Sequence, residues 1–298
     1  MYRAARLIRE GQIVAFPTET VYGLGANALN PAAVRRIFEI KGRPRTSPLI
    51  VHVKSIEMAR QLVRQWPLEA QYLAEKFWPG PLTLVVPKHI GVPDEVTANL
   101  DTVAIRMPDH PLALALIREA GVPIAAPSAN KFTRLSPTTA EHVRASFSEE
   151  EVPMVLDGGP SQVGIESTVV SLTGRVPVLL RPGMIAFDNI VRASDPGDDA
   201  HPSPGMHERH YSPRTRVVLI RSGDPLPEGR GAYLWWKYGS VAVARPVRMP
   251  DSAQAYAAVL YSTLHKLDAE SWDWIAVERV PDATEWLGIR DRLDRAAG

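Results

Sequence analysis

The sequence has no cysteine among its 298 residues. This absence excludes disulfides, thiolate nucleophiles, cysteine-ligated zinc and iron–sulfur clusters. Long apolar runs are absent too: none approaches the ~20 residues that a membrane helix needs. Residues 1–11 also lack the apolar core of a secretory signal. We therefore expect a cytoplasmic protein that makes no membrane contact.

Several widespread active-site motifs are also missing. The chain contains no Gly-Lys-Ser/Thr phosphate loop, no dinucleotide-binding G-x-G-x-x-G, no G-x-S-x-G nucleophile elbow and no H-E-x-x-H. Three histidines, His201, His207 and His210, lie in a polar stretch with Glu208 as the carboxylate beside them. We do not expect this group to bind a metal, because it lacks a carboxylate-rich frame. The sequence identifies no metal ligands.

Neither sign of charge dominates, since 34 basic residues face 33 acidic ones and the net charge is +1. This balance disfavours a protein that coats nucleic acid. The charge is nevertheless divided: residues 1–187 carry 20 basic and 17 acidic side chains, whereas residues 188–298 carry 14 and 16. The length favours two domains, and the 45% hydrophobic and 22% charged fractions are typical of globular proteins.

Apolar runs and helical patterns alternate up to residue 187, which predicts an α/β domain. Because strands and helices do not follow one another in regular βαβ units, we expect a mixed or antiparallel sheet. Residues 188–214 are polar and turn-rich and are predicted to be a linker. Residues 215–298 predict a second, small parallel α/β unit. The strands that matter below are predicted at 12–16, 49–53, 82–87, 103–106, 154–157, 216–220, 240–244 and 274–278. Helices are predicted at 32–40 with Asn30 as the N-cap, at 55–73, at 110–120 ending before Gly121, at 253–267 and at 289–297.

Two segments of the first domain carry chemistry. Residues 17–25, Pro-Thr-Glu-Thr-Val-Tyr-Gly-Leu-Gly, combine hydroxyls with glycines that let a backbone approach a ligand. The alternative, which this segment alone favours, is a connection whose threonines satisfy their own backbone. Residues 41–49 hold three cations in five positions, stiffened by two prolines, which indicates phosphate binding. The alternative there is a solvated basic loop.

Two arginines end apolar strands. Arg106 follows Val103–Ile105, and Arg181 follows the run 176–180. At the edge of a cleft, the planar guanidinium suits a carboxylate or a phosphate. An ion pair with a local Asp or Glu explains each position equally well before any other context.

Taken together, these segments closely resemble the YrdC family of threonylcarbamoyl-adenylate synthases in its long, two-domain form. The resemblance rests on residues 17–25, on Lys41-Gly42-Arg43 and on Ser128-Ala129-Asn130, followed in order by 79–83, 136–138, 164–169 and 181–183. It continues more loosely through 204–213 and 288–293. One stretch departs from the pattern, because Phe132 and Thr133 stand where the family usually has Ser-Gly.

The resemblance implies an enzyme that makes threonylcarbamoyl-AMP and pyrophosphate from L-threonine, bicarbonate and ATP, for the N6-threonylcarbamoyladenosine modification of tRNA. It implies a twisted mixed-sheet domain with a positively charged cavity, and a small Rossmann-like C-terminal domain. Mg²⁺ would accompany ATP and be held mainly by its phosphates. The product would pass to a tRNA-modifying threonylcarbamoyl transferase complex.

The resemblance also implies three groups of site residues, while no general base is identified. Lys41 and Arg43 are the catalytic cations. The expected ATP contacts are Arg43, Ser47, Thr102, Ser128, Asn130, Ser136, Arg181 and Tyr211. The expected L-threonine contacts are Thr20, His52, Arg106, Ala126 through its backbone, and Ser167.

Two alternatives stay open at this point. An RNA-binding module could use the basic cavity of such a domain, and weak RNA binding is compatible with the enzyme as well. A carbamoyltransferase of hydrogenase maturation shares a YrdC-type domain, but it needs zinc-finger cysteines that this chain lacks.

Overall fold

The computed structural model describes residues 1–187, 190–193, 211–221, 223–237, 239 and 243–298. These residues form two sheets, one of nine strands and one of four. Helices flank both sheets, as predicted for an α/β protein. None of the helices in the described ranges has the length and apolar character required to cross a bilayer.

The nine-stranded sheet is mixed, as the sequence predicts. Its strands are β1 (Val14–Phe16), β2 (Gly23–Asn27), β3 (Ile50–His52), β4 (Leu82–Pro87), β5 (Thr102–Arg106), β6 (Ile124–Ala125), β7 (Thr168–Ser171), β8 (Val178–Arg181) and β9 (Val191–Arg192). They lie in the order β1-β2-β6-β3-β5-β4-β7-β8-β9. The pairs β3–β5, β4–β7 and β8–β9 are parallel, and the others are antiparallel.

The helices of this part begin and end where local chemistry predicts. They are α1 (Tyr2–Arg9), α2 (Pro31–Lys41), α3 (Ile56–Arg60), α4 (Leu68–Phe77), α5 (Asp94–Thr97), α6 (Pro111–Ala120) and α7 (Ala140–Arg144). The side chain of Asn30 caps α2 by accepting hydrogen bonds from the N–H groups of Ala32 and Ala33. Helix α6 ends at Gly121, whose φ of 71° lies in the left-handed region that glycine tolerates.

Two predicted elements differ. The helical stretch 55–73 is two helices, α3 and α4, because Pro67 stands at the start of α4 and disfavours helical geometry before it. The strand predicted at 154–157 is a single bridge between Ala15 and Val155. Two backbone hydrogen bonds hold this bridge, one donated by the N–H of Ala15 and one accepted by its carbonyl oxygen. Strand β1, which it joins, is only three residues long.

The glycine-rich segment after β1 is a strand rather than a turn. Gly23 and Gly25 belong to β2, which pairs antiparallel with β1. A Cβ atom on Gly25 would lie 2.7 Å from the ring of Phe16 and 2.9 Å from Ile124. This glycine is therefore required by close packing of β2 against Phe16, not by the approach of a ligand.

The second sheet is entirely parallel. It contains β10 (Arg216–Ile220), β11 (Gly231–Trp235), β12 (Arg245–Arg248) and β13 (Trp274–Glu278), in the order β10-β13-β11-β12, with helices α8 (Ala253–Ala269) and α9 (Leu287–Ala297). Numbered along the chain and read from the β12 edge, the strand order is 3-2-4-1. The dinucleotide-binding fold has the order 3-2-1-4-5-6. The parallel layer is confirmed, and the Rossmann-like description stays a prediction.

Parts of the sequence-based organisation fall outside the described residues. Most of the predicted linker 188–214, including its three histidines, lies there, and so do residues 240–242 of the strand predicted at 240–244. The strand described nearby, β12, lies at 245–248. The domain boundaries therefore stay predictions.

Helices α8 and α9 pack directly on the backbone that leads into and out of the first sheet. A Cβ atom on Gly164 would lie 2.2 Å from the carbonyl oxygen of Ala257 in α8. One on Gly288 in α9 would lie 2.6 Å from the carbonyl oxygen of Gly183. Two backbones can approach this closely only where a side chain is missing. The segments around 164 and 183, which flank β7 and β8, are thus held by α8 and α9.

Candidate active site

One cavity gathers most of the expected site residues. It encloses about 530 Å³, open solvent at its mouth included, and lies beside the last residues of β3, β5 and β8. All five expected L-threonine contacts line it: Thr20, His52, Arg106, Ala126 and Ser167. Four of the eight expected ATP contacts do so as well: Arg43, Ser128, Arg181 and Tyr211. Strand register explains part of this convergence, because His52 pairs with Arg106 across β3 and β5.

The other expected residues do not line the cavity. These are Lys41, Ser47, Thr102, Asn130 and Ser136. Thr102 and Arg106 are the two ends of β5, so they lie about 13 Å apart along the strand at ~3.3 Å per residue. The remaining four are buried behind or beside the wall. Nucleotide contact by Ser47, Thr102, Asn130 and Ser136 stays a prediction, and so does the catalytic role of Lys41.

Arg106 is the most completely held cation of the site. Its guanidinium donates to the hydroxyl of Thr20 at 2.8 Å and to the carbonyl oxygen of Gly80 at 3.3 Å. Its Nη2 lies 2.7 Å from Oε1 of Glu19 in an ion pair whose partners are both about 95% buried. The local ion pair foreseen for this arginine is therefore present, and Arg106 also lines the cavity. Glu19 is a site residue that the sequence did not single out.

His52 is neutral in this environment. Burial and, after it, the positive charge of Arg106 lower the pKa of His52 to about 3. The edge of its ring meets that of Phe16, with 5.8 Å between centroids and 88° between planes. An imidazole with so low a pKa is a weak base at neutral pH. It therefore fits the expected contact with a substrate better than a role as general base.

The low pKa of His52 predicts that acid destabilises the fold. Below pH 6.5 the unfolded chain protonates this histidine, whereas the folded chain does so only near pH 3. Stability is therefore lost as the pH falls through this window, at up to about 1.4 kcal/mol per pH unit. Urea unfolding at pH 7, 6 and 5 measures the slope. It should be shallower in His52→Gln and unchanged in His89→Gln, which alters an exposed histidine; equal slopes in both variants would contradict the assignment.

Lys41 holds the loop that follows β6 rather than pointing into the cavity. Its ammonium donates to the carbonyl oxygens of Ser128, at 2.6 Å, and of Asn130. Burial and, after it, the charges of Arg43 and Lys131 hold the pKa of Lys41 well below its usual value. The side-chain amide of Asn130 in turn donates to the carbonyl oxygen of Arg134 at 2.7 Å. The two residues thus fix a loop whose Ser128 faces the cavity.

Arg43 enters the cavity from the loop after α2. It is 7% exposed, and its Nη2 donates to the carbonyl oxygen of Pro48 at 3.3 Å. Burial, partly offset by Tyr211, lowers the pKa of Arg43 to about 10, so the guanidinium is charged at neutral pH. The Arg43 Cζ lies 6.0 Å from the centre of the Phe132 ring. The prolines that made this loop a candidate phosphate site therefore frame a buried cation, not a solvated one.

Residues 132 and 133, which differ from the Ser-Gly pair usual in the family, include a position with a strained backbone. Thr133 has a φ of 66°, in the left-handed region that the glycine expected there would tolerate. Its carbonyl oxygen accepts a hydrogen bond from the N–H of Ser212 at 2.9 Å, directly after Tyr211. The backbone N–H of Phe132 meanwhile donates a hydrogen bond to the carbonyl oxygen of Lys41 at 2.9 Å. This stretch thus docks the segment that carries Tyr211.

Thr133→Gly is expected to leave stability unchanged or to raise it by about 0.5–1 kcal/mol. The substitution removes the steric cost of a Cβ atom in the left-handed region, which stabilises the fold by about 1–2 kcal/mol. It also makes the unfolded chain more flexible, which destabilises the fold by about 0.5–1 kcal/mol. Thr173→Gly is the control, since Thr173 is exposed and has no positive φ, and it should lose stability. Thermal and urea unfolding of both variants give the comparison. A Thr133→Gly variant that loses as much as the control would contradict the strain.

Arg181, Ser167 and Glu166 form the part of the cavity wall next to β7 and β8. Arg181 donates through Nε to the carbonyl oxygen of Ser167 and through Nη2 to its hydroxyl, both at 3.1 Å. That hydroxyl also lies 2.8 Å from the hydroxyl of Thr83. Although burial favours the neutral acid, the charges of Arg292 and Arg181 lower the pKa of Glu166, which stays ionised. Glu166 lines the cavity, and the sequence did not single it out.

Backbone contacts also restrict what the cavity can bind. The N–H of Ala126 already donates to the carbonyl oxygen of Ile50 at 2.9 Å. If Ala126 contacts a ligand through its backbone, it must therefore do so as an acceptor, through its carbonyl oxygen. An amine or a hydroxyl is the kind of group that can meet it.

The described residues offer no resident metal site. No group of three or more His, Asp or Glu side chains is placed to hold an ion in the ranges given above. Glu166, which lines the cavity, is paired with Arg292, and Glu19 is paired with the lining residue Arg106. A Mg²⁺ ion in this site would therefore need most of its ligands from phosphate oxygens and water.

Comparison with known families gives this geometry a context. The family model for Sua5, YciO and YrdC proteins, described as "Telomere recombination", matches residues 6–183, more than half of the chain. The chain belongs to the Sua5–YciO–YrdC family. A second model, "Threonylcarbamoyl-AMP synthase, C-terminal domain", matches residues 178–298. The family resemblance predicted from the sequence is confirmed over the whole length.

Two relatives that are similar over nearly their full length carry the same name. The threonylcarbamoyl-AMP synthase of Bacillus subtilis is 43% identical, over 99% of this chain and 92% of its own. That of Pyrococcus abyssi is 41% identical, over 99% and 93%. The crystal structure of P. abyssi Sua5 complexed with L-threonine aligns with a TM-score of 0.91 at 40% identity, covering 99% of this chain and 93% of that one.

Proposed function

We propose that the protein is an L-threonylcarbamoyladenylate synthase, a nucleotidyltransferase that forms threonylcarbamoyl-AMP and pyrophosphate from L-threonine, bicarbonate and ATP. The observation that carries the proposal is that all five expected L-threonine contacts meet in one cavity, next to the buried cations Arg43 and Arg181. Two full-length family members at 41% and 43% identity bear this activity in their names, and L-threonine is bound in the P. abyssi structure.

L-Threonine fits the β3–β5 side of the cavity. Arg106 presents a guanidinium to the substrate carboxylate, for which its planar fork is suited. Its ion pair with Glu19 and its bond to Thr20 hold that fork in place before substrate arrives. The carbonyl oxygen of Ala126 is an acceptor for the substrate amine or hydroxyl. A neutral His52 adds a hydrogen-bonding group without further charge.

The triphosphate fits the side that carries Arg43 and Arg181. Once the amine of L-threonine and bicarbonate have joined into a carbamate with loss of water, a carbamate oxygen attacks the α-phosphorus and pyrophosphate leaves in line. Such a transfer needs positioning and neutralisation of charge rather than a covalent nucleophile. Guanidinium groups in a poorly solvated cavity stabilise the developing charge more strongly than in water. Mg²⁺ would arrive with ATP and neutralise phosphate charge further.

Lys41 serves this reaction indirectly in our proposal. Its ammonium is bonded to the carbonyl oxygens of Ser128 and Asn130, so it positions the loop that presents Ser128 to the nucleotide. The product is an activated carbamoyl group. A transferase that passes it to the adenosine of tRNA would consume it.

The direct test is mass spectrometry of the products. The protein is incubated with ATP, L-threonine, Mg²⁺ and ¹³C-bicarbonate, and threonylcarbamoyl-AMP should appear with one added mass unit. Pyrophosphate release should depend on both L-threonine and bicarbonate. ATP consumption without the labelled adduct would overturn the proposal.

Nothing in the described residues favours the alternative of an RNA-binding module. The cations of the cavity are buried and bonded to neighbouring protein groups, whereas contacts to an RNA backbone need accessible ones. Weak RNA binding by other surfaces stays a prediction. It can be measured as the salt dependence of RNA affinity.

A further inference from the structure

Glu166 receives hydrogen bonds from three different parts of the chain. Ser136 donates its hydroxyl proton to Oε1 at 2.5 Å, and Arg292 donates through Nε to Oε2 at 2.6 Å. The hydroxyl of Tyr261 donates to the same Oε2 at 3.1 Å. A carboxylate with this many donors has one orientation. Glu166 is therefore a fixed part of the cavity wall.

Two of these donors come from helices of the second sheet. Tyr261 is 1% exposed on α8, and Arg292 is 1% exposed on α9. The Arg292 Cζ also lies 5.1 Å from the ring centre of Tyr211, which lines the cavity. The neutralising partner of this buried carboxylate, Arg292, is thus supplied from 126 positions later in the sequence.

Helix α8 also holds the backbone of Ser136. One turn after Tyr261, Nε2 of His265 hydrogen-bonds the carbonyl oxygen of Ser136 at 3.1 Å. Ser136 is therefore linked to α8 twice. Its carbonyl oxygen is bonded to His265 directly, and its hydroxyl is bonded to Glu166, which is in turn bonded to Tyr261. Because that hydroxyl donates its only proton to Glu166, Ser136 is not oriented to donate to a phosphate oxygen. The expected effect of Ser136 on ATP is then transmitted by Glu166, which lines the cavity.

We propose that Tyr261 and Arg292 are positioning residues for ATP, acting through Glu166, which lines the cavity together with Arg181 and Tyr211. This inference rests on the proposed function. The L-threonine contacts other than Ser167 lie on β3, β5 and the segments next to β2 and β6, and in the sheet β4 separates these strands from β7 and β8. Losing a donor of Glu166 should therefore disturb ATP much more than L-threonine.

The chain offers a matched pair of variants on one helix. Tyr261 and Tyr256 are both fully buried on α8. The Tyr261 hydroxyl donates to Glu166, whereas the hydroxyl of Tyr256 has no hydrogen-bond partner among the described residues. Tyr261→Phe and Tyr256→Phe therefore each delete one buried hydroxyl from the same helix, and only the first deletes a contact to the cavity wall.

The experiment measures KM for ATP and for L-threonine by pyrophosphate release, with ATP binding measured separately by calorimetry. We expect Tyr261→Phe to raise the KM for ATP about fivefold to tenfold and to leave that for L-threonine within twofold. Tyr256→Phe should leave both within twofold. Thermal unfolding establishes that both variants are folded at the assay temperature.

Coupling to Glu166 is tested by adding Tyr261→Phe to Glu166→Gln. If Tyr261 acts through this carboxylate, its effect on the KM for ATP should fall to twofold or less in that background. Equal rises for both substrates, or an effect that persists at full size with Glu166→Gln, would overturn the proposal. A wild-type protein that forms no threonylcarbamoyl-AMP would instead reject the proposed function, which separates the two failures.

Discussion

Arg43→Ala is expected to lower turnover by about 10³-fold while the protein stays folded. A preorganised cation that meets charge developing on a phosphoryl group contributes about 10²–10⁵ in rate. Arg43 is buried at the cavity and charged at neutral pH. It forms no ion pair within the described ranges, so its loss leaves no carboxylate buried without a partner. The measurement is steady-state pyrophosphate release at saturating L-threonine and bicarbonate.

Arg45 provides the control two residues away. Its side chain is 66% exposed and meets Glu39 only at 3.7 Å across the surface. Arg45→Ala removes the same charge from the same loop and should keep turnover within twofold. Arg43→Lys should recover a small part of the lost rate, because an ammonium supplies charge but not the planar fork. A folded Arg43→Ala variant with near-normal turnover would remove Arg43 from the catalytic set.

Arg106→Ala is expected to weaken both the fold and the binding of L-threonine. Removing this arginine leaves Glu19 buried and unpaired, which costs about 3–5 kcal/mol of unfolding free energy. Loss of a charge-assisted contact to the substrate carboxylate should raise the KM for L-threonine about 100-fold, or about 2.7 kcal/mol. Chemical denaturation and titration with L-threonine at saturating ATP measure the two effects.

A second substitution separates the loss of stability from the loss of L-threonine binding. In the double variant Arg106→Ala with Glu19→Gln, no buried charge is left unpaired, so most of the lost stability should return. The KM for L-threonine should stay high, because the guanidinium is still missing. If the double variant recovers L-threonine affinity together with stability, Arg106 is a structural residue and the assignment of its ligand is wrong.

Local patterns predicted the features that depend on neighbouring residues. The cap at Asn30, the end of α6 at Gly121 and the apolar strands β4 and β13 follow from residue preferences and periodicity. The motifs of the first domain predicted the family and the residues that converge on the cavity. Strand β2 was missed because its glycines look like a turn. Their reason, close contact with Phe16, exists only after β1 and β2 pair.

The partners of charged groups could not be read from the sequence. Glu19 stands one residue before Thr20, but its ion pair spans 87 positions to Arg106, and Arg292 reaches Glu166 across 126. A surface glutamate and a buried one look identical in a sequence. Likewise, Lys41 belongs to the family motif, yet only the fold shows that its ammonium binds loop carbonyls.

The sequence by itself determined three things about this protein. The complete absence of cysteine showed which chemistry is excluded, and the alternation of strands and helices predicted an α/β fold. The motif segments showed which family the chain resembles and which side chains to examine. Tertiary structure alone decided which of those side chains share a cavity, which are neutralised by a buried partner, and that α8 and α9 support its wall. The physical reason is the distance along the chain over which each effect acts. Propensity and periodicity act over a few residues, whereas burial and charge pairing are set by groups that meet only when distant segments pack.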